Sequence, residues 1–110
     1  MNSKVSVMFP VALAMSGLLI GWSKKDDVIK IGQAVALTGD NSTWGQSEKN
    51  ALDMEIAKIN AKGGVMGKKI QLISYDTRAD ATEGVNVTKR LVSDGVCAII
   101  GPGQSGVAMP

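Results

Sequence analysis

The sequence predicts an α/β fold in which one parallel sheet is built from a βαβαβ unit over residues 28–110. Three short apolar runs alternate with two longer segments of helical periodicity. The apolar runs are too continuously hydrophobic for strands with one solvated face, so they indicate strands covered on both sides. Strands that alternate with helices favour parallel pairing with right-handed crossovers.

Composition narrows the classes of function. The chain has 110 residues, enough for one small domain, and it is 45% hydrophobic and 20% charged, as globular proteins are. A formal charge of +2 gives no support for a nucleic-acid partner. The chain has no histidine and a single cysteine, Cys97, which disfavours Ser-His-Asp and Cys-His catalysis and the usual zinc sites. We therefore expect no metal and no cofactor, and an enzyme is disfavoured without being excluded.

The first predicted strand, Val28–Leu37, ends in the loop Thr38–Gly45, which carries Trp44. Ligands bind at the carboxyl ends of the strands in open α/β sheets, so this loop is a candidate binding site. A turn that serves structure alone does not need a large aromatic residue. Trp44 is therefore a candidate ligand contact, with a hydrophobic staple on the first helix as the structural alternative.

The first helix is predicted from Gln46 to Ala61, with Thr43 or Ser47 as its cap. Glycines after Lys62 mark its end. Its predicted apolar stripe consists of Leu52, Ile56 and Ile59, widened by Ala51 and Met54. The charged residues predicted to face outward are Glu48, Lys49, Asp53, Glu55 and Lys58.

The second half of the unit starts with a predicted strand over Lys69–Asp76. Asp80 and Glu83 form a capping-box pattern that opens a second helix, which continues to Ser93. The apolar positions predicted for this helix are Val85, Thr88, Leu91 and Val92. A third strand, Val96–Ile100, follows, and the chain ends at Pro110, before the helix expected next. We therefore expect residues 28–110 to be the first part of a larger fold.

The loop after the third strand contains Gly101-x-Gly103-x-x-Gly106, which matches the dinucleotide-binding pattern. In nucleotide-binding folds that pattern follows the first strand, and an acidic residue occurs further along the chain. Here the pattern follows the third strand. A fragment of a nucleotide-dependent α/β enzyme is the resulting alternative hypothesis. In either case, backbone amides and the Ser105 hydroxyl at the start of an expected helix suit a carboxylate or another anion.

Residues 1–22 have the layout of an export signal, with Lys4 followed by an uncharged apolar run from Val5 to Ile20. The end of the run, Leu18–Gly21, resembles a bacterial lipoprotein signal, but Trp22 stands where the lipidated cysteine belongs. Cleavage at another position, retention of an uncut leader as a membrane anchor, and a changed residue 22 all stay open. Residues 23–27 are predicted to be a short tether.

Several stretches together resemble the amino terminus of the branched-chain amino acid binding proteins, which are receptors of ABC importers in the type I periplasmic binding protein family. The stretches that carry the resemblance are Ile29–Gly32, Leu37–Gly39, Trp44-Gly45, Ile59–Ile70, Tyr75-Asp76 and Ile100–Pro102. The resemblance implies a two-lobed clamshell of which residues 28–110 are the incomplete first lobe. It also implies that a disulfide found in some members is absent, because Ala79 and Gln104 occupy its positions.

The same resemblance implies the site and the partners. Trp44 matches an aromatic residue that contacts the ligand side chain, and Ser105 matches a serine that holds the ligand carboxylate. We expect Gly103 and Gln104 beside Ser105 to contribute as well. The implied function is a non-enzymatic, periplasmic or envelope-located receptor that binds a small amino acid or carboxylate and delivers it to a permease. A remnant of such a gene, unable to bind, is a further hypothesis, and any membrane contact is expected only through an uncleaved leader.

Overall fold

The computed structural model describes residues 27–109. The predicted export signal (1–22) and all of the predicted tether except Asp27 lie outside the described residues. The elements in chain order are β1 (Val28–Val35), α1 (Ser42–Ala61), β2 (Lys69–Asp76), α2 (Ala81–Ser93), β3 (Ala98–Ile100) and α3 (Ser105–Ala108).

The three strands form one sheet in the order β2-β1-β3. Both pairings are parallel: β1 pairs with β2 from Val28↔Lys69 to Val35↔Asp76, and with β3 from Ile31↔Ala98 to Gln33↔Ile100. The prediction of a parallel α/β sheet is confirmed. Since β1 is central and all strands run the same way, the segments that follow β1 and β3 emerge side by side at the carboxyl edge of the sheet.

Two helices cover opposite faces of the sheet, as the alternation of side chains along β1 requires. On one face, Ala34 packs with Val87 and Leu91 of α2 in the buried core. Gly32 lies on the same face, and a Cβ there would come within 2.9 Å of the Leu91 side chain, so glycine permits the close approach of α2. On the other face, Val35 lies beneath the start of α1, where its Cγ2 atom is 3.0 Å from a Cβ built on Gly45.

The first strand ends two residues earlier, and the first helix begins four residues earlier, than predicted. The strand stops at Val35 because the Leu37 and Thr38 amides donate to the Asp76 carboxylate instead of to a strand neighbour. The helix begins at Ser42, so Trp44 lies in its first turn and not in a loop. The predicted caps, Thr43 and Ser47, are both inside the helix, and the Asn41 side chain at its N-cap makes no capping hydrogen bond.

The predicted apolar stripes were partly wrong. On α1, Met54 is 63% exposed and Ala51 is also exposed, while Leu52, Ile56 and Ile59 are half-buried as predicted. On α2, Val92 is 64% exposed and Thr88 is exposed. The buried residues of α2 are Gly84, Val87 and Leu91. Packing against the sheet and α3 sets this face, and a glycine contributes to it without adding to hydrophobic periodicity.

The second helix begins where the capping pattern predicts it. The Asp80 side chain accepts a hydrogen bond from the Glu83 amide at 2.8 Å. The reciprocal half of the capping box is replaced, because the Asp80 amide donates to the Thr77 carbonyl.

The third strand is shorter than predicted, and a short helical turn follows it. The third strand begins at Ala98 instead of Val96, although the Cys97 amide already donates to the Lys30 carbonyl at 2.9 Å. The predicted strand residue Cys97 is exposed and lies one position before β3. The expected helix does start at Ser105: Ser105–Ala108 forms the helical turn α3, whose Val107 is buried near Gly84 of α2.

Candidate functional site

A cavity of about 280 Å³ lies at the carboxyl edge of the sheet, between the start of α1 and the loop that follows β3. Its lining combines an indole ring, small residues, amide groups and one carboxylate. The lining residues are Ala36, Asn41, Trp44, Gly45, Glu48, Pro102, Gly103 and Gln104. Sequence reasoning predicted a site at this edge, and the described residues form a concave surface there.

Trp44 lies in the first turn of α1 and is 76% exposed. A hydrophobic staple would bury the ring against the helix, so this exposure does not fit that alternative. Instead, the indole forms part of the cavity wall. A large aromatic side chain held at the mouth of a cavity offers apolar area that a ligand can bury.

Gly45 explains why α1 begins so close to the sheet. A Cβ at this position would overlap the Ala36 carbonyl oxygen and lie 3.0 Å from Val35 Cγ2. Only glycine therefore allows the first turn of α1 to approach the end of β1. This close approach brings Trp44 to the wall of the cavity.

The loop after β3 forms the opposite wall. Gly101 has a φ of +90°, and a Cβ on it would overlap the Ala34 carbonyl oxygen, so this position requires glycine on both counts. The chain then turns through Pro102 and places Gly103 and Gln104 in the cavity lining. The glycines of the dinucleotide-like pattern at 101 and 103 are thus used for a tight turn and for close packing against α1.

The structure brings three of the four predicted site residues together. Trp44, Gly103 and Gln104 line the same cavity. Ser105 does not line it: this residue begins α3, is exposed, and its carbonyl accepts a hydrogen bond from the Met109 amide at 3.1 Å. Its predicted contact with a ligand carboxylate stays a prediction.

Glu48 is a cavity residue that sequence reasoning missed. It was assigned to the outward, charged face of α1, yet its side chain lines the cavity and contacts the loop at Gly103. The spacing carried the signal: Glu48 follows Trp44 by four residues, and residues at i and i+4 share a helix face. Once Trp44 is placed inside the helix, Glu48 must lie beside it.

Asp76 holds the start of the β1–α1 connection in place. Its Oδ1 atom accepts hydrogen bonds from the amides of Leu37 (2.8 Å), Thr38 (3.3 Å) and Arg78 (2.8 Å). Its Oδ2 atom accepts one from the Thr38 hydroxyl at 2.5 Å. Burial alone raises the pKa of Asp76, but these hydrogen bonds, led by that from Thr38, outweigh it and hold the pKa below its ordinary value.

Two other kinds of functional feature are absent from the described residues. Among residues 27–109, no group of three or more histidine, cysteine, aspartate or glutamate side chains is placed to hold a metal ion. No helix in that range has the length and hydrophobicity needed to cross a membrane.

These features define a class of protein: an α/β unit with a cleft at the carboxyl ends of its strands, which is where open α/β sheets bind their ligands. The chain belongs to the periplasmic binding protein family, since the family model described as "Periplasmic binding protein" matches residues 28–110. The fold class and the resemblance described from the sequence are both confirmed.

Individual relatives are named for binding and transport. The chain is 38% identical over 82 residues to the Leu/Ile/Val-binding protein homolog 2 of Brucella abortus, covering 74% of the chain and 22% of that protein. It superposes with a TM-score of 0.72 and 33% identity on the branched-chain amino acid transporter substrate-binding protein LivJ of Streptococcus pneumoniae, solved with isoleucine; the match covers 74% of the chain and 24% of LivJ.

A further similar structure belongs to a protein with a different named cargo. It is the fatty acid ABC transporter substrate-binding protein of Thermomonospora curvata, with a TM-score of 0.64 and 31% identity over 67% of the chain and 19% of that protein. The chain therefore spans about a fifth to a quarter of the length of these relatives. The relatives are substrate-binding proteins, and their names cover more than one kind of substrate.

Proposed function

We propose that this chain supplies the first-lobe portion of the substrate-binding component of an ABC importer for branched-chain or related amino acids. In this proposal residues 1–22 direct export, residues 23–27 are a tether, and residues 28–110 belong to the binding domain. The protein acts in the periplasm or cell envelope as a receptor that delivers its ligand to a permease. It does not act as an enzyme.

The cavity at the carboxyl edge of the sheet carries this proposal. It places the exposed ring of Trp44 opposite Gly103 and Gln104. An aromatic wall suits an aliphatic side chain, and the backbone amides of a glycine-containing loop suit a carboxylate. A branched-chain amino acid has both groups, two bonds apart. The names of the Brucella and Streptococcus relatives support the same ligand class.

Different residues are proposed to contact the two ends of the ligand. Trp44 packs on the aliphatic side chain, while Gly103, Gln104 and Ser105 receive the carboxylate. Since the described cavity is open, closure over the ligand needs a second wall, which the two-lobed architecture supplies. The first lobe alone is expected to bind weakly.

The test is calorimetric titration of the full-length product of the gene with leucine, isoleucine and valine. Trp44→Ala is expected to weaken leucine binding by about tenfold to a hundredfold, because an indole offers a large apolar area to the ligand. Met54→Ala is the matched control, since Met54 is an exposed apolar residue of the same helix and does not line the cavity.

Two results would contradict the proposal. One is that none of the three amino acids binds the unmodified protein. The other is that Trp44→Ala and Met54→Ala bind leucine equally well. Binding of NAD in place of an amino acid would instead favour the nucleotide-dependent enzyme.

A further inference from the structure

We infer that the connection between α1 and β2, residues 62–69, is a membrane-facing surface that binds bilayers containing anionic phospholipid. This connection, here called the basic turn, leads into the start of β2 and so lies at the amino edge of the sheet, opposite the cavity. The surface is additional to the proposed ligand site and to the leader, and the proposed function contributes only the location in the cell envelope. A receptor bound through this turn keeps its cavity open to solvent.

The basic turn is cationic. Its sequence is Lys-Gly-Gly-Val-Met-Gly-Lys-Lys, with three lysines and no acidic residue, and all three lysines are exposed. Lys68 pairs with Asp27 at 3.2 Å, whereas neither Lys62 nor Lys69 has a carboxylate of residues 27–109 within ion-pairing distance. Clustered lysines of this kind are attracted to the negative surface of a bilayer that contains anionic lipid.

The carboxyl edge of the sheet has the opposite charge. The acidic residues in its loops and in the first turns of α1 and α2 are Asp40, Glu48, Asp76, Asp80 and Glu83, against the basic residues Lys49 and Arg78. A negative bilayer surface therefore attracts the basic turn and repels the edge that carries the cavity. This asymmetry gives the bound domain one preferred orientation.

An apolar side chain lies at the tip of the basic turn. Met66 is 91% exposed, and the bridge beneath it is tight: the Val65 amide donates to the Lys68 carbonyl at 2.8 Å, and the Lys68 amide donates back at 2.9 Å. The φ of Met66 is +53°, in the left-handed region that favours glycine or asparagine. Neither the backbone nor packing among the described residues requires methionine there. A flexible apolar side chain flanked by lysines instead suits insertion between lipid headgroups.

The chain enters the fold beside the basic turn. Val28, the first residue of β1, is in register with Lys69. The proposed tether, residues 23–27, is five residues long, and five extended residues reach at most about 18 Å. A leader retained in the membrane thus holds the amino edge within that distance of the bilayer. The basic turn can then meet the headgroups without rearrangement of the domain.

The experiment measures co-sedimentation of the full-length gene product with two kinds of vesicle, phosphatidylcholine alone and phosphatidylcholine mixed with phosphatidylglycerol. The unmodified protein is expected to prefer the mixed vesicles, and added salt is expected to weaken that preference. A combined Lys62→Gln, Lys68→Gln and Lys69→Gln variant is expected to lose affinity for the mixed vesicles by roughly fivefold per lysine. Any contribution of the leader is the same in both proteins.

Two controls match these changes. A combined Lys49→Gln, Arg78→Gln and Lys89→Gln variant removes the same charge outside the basic turn and is expected to bind mixed vesicles as the unmodified protein does. Met66→Asn keeps a residue that accepts the left-handed conformation but removes the apolar tip, so it is expected to weaken vesicle binding severalfold. Met54→Asn, at an exposed position of α1, is its control. Circular dichroism verifies that each variant folds.

Three results would overturn the membrane-facing surface. One is equal affinity of the unmodified protein for the two kinds of vesicle. Another is an equal loss of vesicle binding in the two combined lysine and arginine variants, which would show an effect of net charge alone. The third is binding of a soluble polyanion such as heparin through the same lysines without any binding to vesicles. Leucine titration of the unmodified protein tests the proposed function separately, because the cavity lies at the opposite edge of the sheet.

Discussion

Asp76 shows how one side chain can organise a functional edge. It ends β2, yet three of the four hydrogen bonds that it accepts come from residues that follow β1. The donors are the Leu37 amide, the Thr38 amide and the Thr38 hydroxyl, and the fourth donor is the Arg78 amide. The bonds replace strand pairing just where β1 must stop, so the chain can turn into α1. The carboxylate therefore positions the first turn of α1, and with it Trp44, without lining the cavity.

Asp76 is expected to make folding stability depend on acid pH. Its folded pKa lies below its ordinary value, so the carboxylate stabilises the fold at every pH above the unfolded value of about 3.9. That stabilisation is lost as the pH falls through the folded pKa. Asp76→Asn is expected to be less stable at pH 7 and to lose less stability on acidification, as measured by urea unfolding between pH 7 and pH 2.

Asp40→Asn serves as the control for this measurement. Asp40 is exposed in the connection between β1 and α1, and it takes no part in the hydrogen bonds that Asp76 accepts. An equal pH dependence in Asp76→Asn and in the unmodified chain would show that the observed bonds do not stabilise the folded carboxylate.

The helix α1 is fastened to the sheet at both of its ends. At its start, Gly45 lets the backbone approach Ala36. At its end, the Asn60 side chain forms two hydrogen bonds with Ile70 at the beginning of β2, donating to the carbonyl at 2.9 Å and accepting from the amide at 2.8 Å. Because both ends are held, the orientation of the face that carries Trp44 and Glu48 is defined by the sheet.

Removal of the second attachment is expected to destabilise the fold. Asn60→Ala leaves the Ile70 amide and carbonyl without these partners, which costs about 1–3 kcal/mol of unfolding free energy. Chemical denaturation measures the change. Asn50→Ala, at an exposed position of the same helix, is the control and is expected to change stability by less than about 0.5 kcal/mol. Equal values for the two variants would contradict the proposed attachment.

Across the whole chain, the described sheet has three strands, with β1 between two edge strands. The β3 edge is short and carries Ile100, which is 41% exposed. Nearby, the Gln33 side chain is buried on β1; its Oε1 atom accepts from the Ser74 hydroxyl, but its Nε2 atom has no partner among the described residues. Ile100 therefore leaves an incompletely covered apolar surface beside β3, and the buried Gln33 amide next to it lacks one hydrogen-bond partner among the described residues.

The 110-residue chain expressed alone is therefore expected to bind a hydrophobic dye such as ANS, or to self-associate, under conditions in which it retains secondary structure. Dye fluorescence and sedimentation velocity measure the two effects. Ile100→Ser is expected to reduce dye binding, whereas Met66→Ser, at an isolated turn residue that is 91% exposed, is not. A monomeric chain that binds no dye would contradict the expectation.

Local sequence determined most of the architecture. Apolar runs located the three strands, and β2 was predicted to the residue because its ends are marked by lysine and aspartate. The Asp80 cap likewise located the start of α2. These features depend on neighbours along the chain, so a single sequence contains the information. The sequence also predicted that Trp44, Gly103 and Gln104 lie at the same edge of the sheet. Each of them follows a strand, and the carboxyl ends of parallel strands meet at one edge.

Long-range contacts determined the remaining features. The start of α1 depends on Gly45 packing on Ala36 and on Asp76, 39 residues from Leu37, which binds the end of β1. The buried face of α2 depends on Gly84 meeting Val107, and the Glu48 side chain lies against Gly103 of the loop after β3. In each case a glycine or a polar side chain acts through a partner distant in sequence. Hydrophobic periodicity does not detect such glycines or polar side chains, because it measures only how apolar residues repeat along one segment.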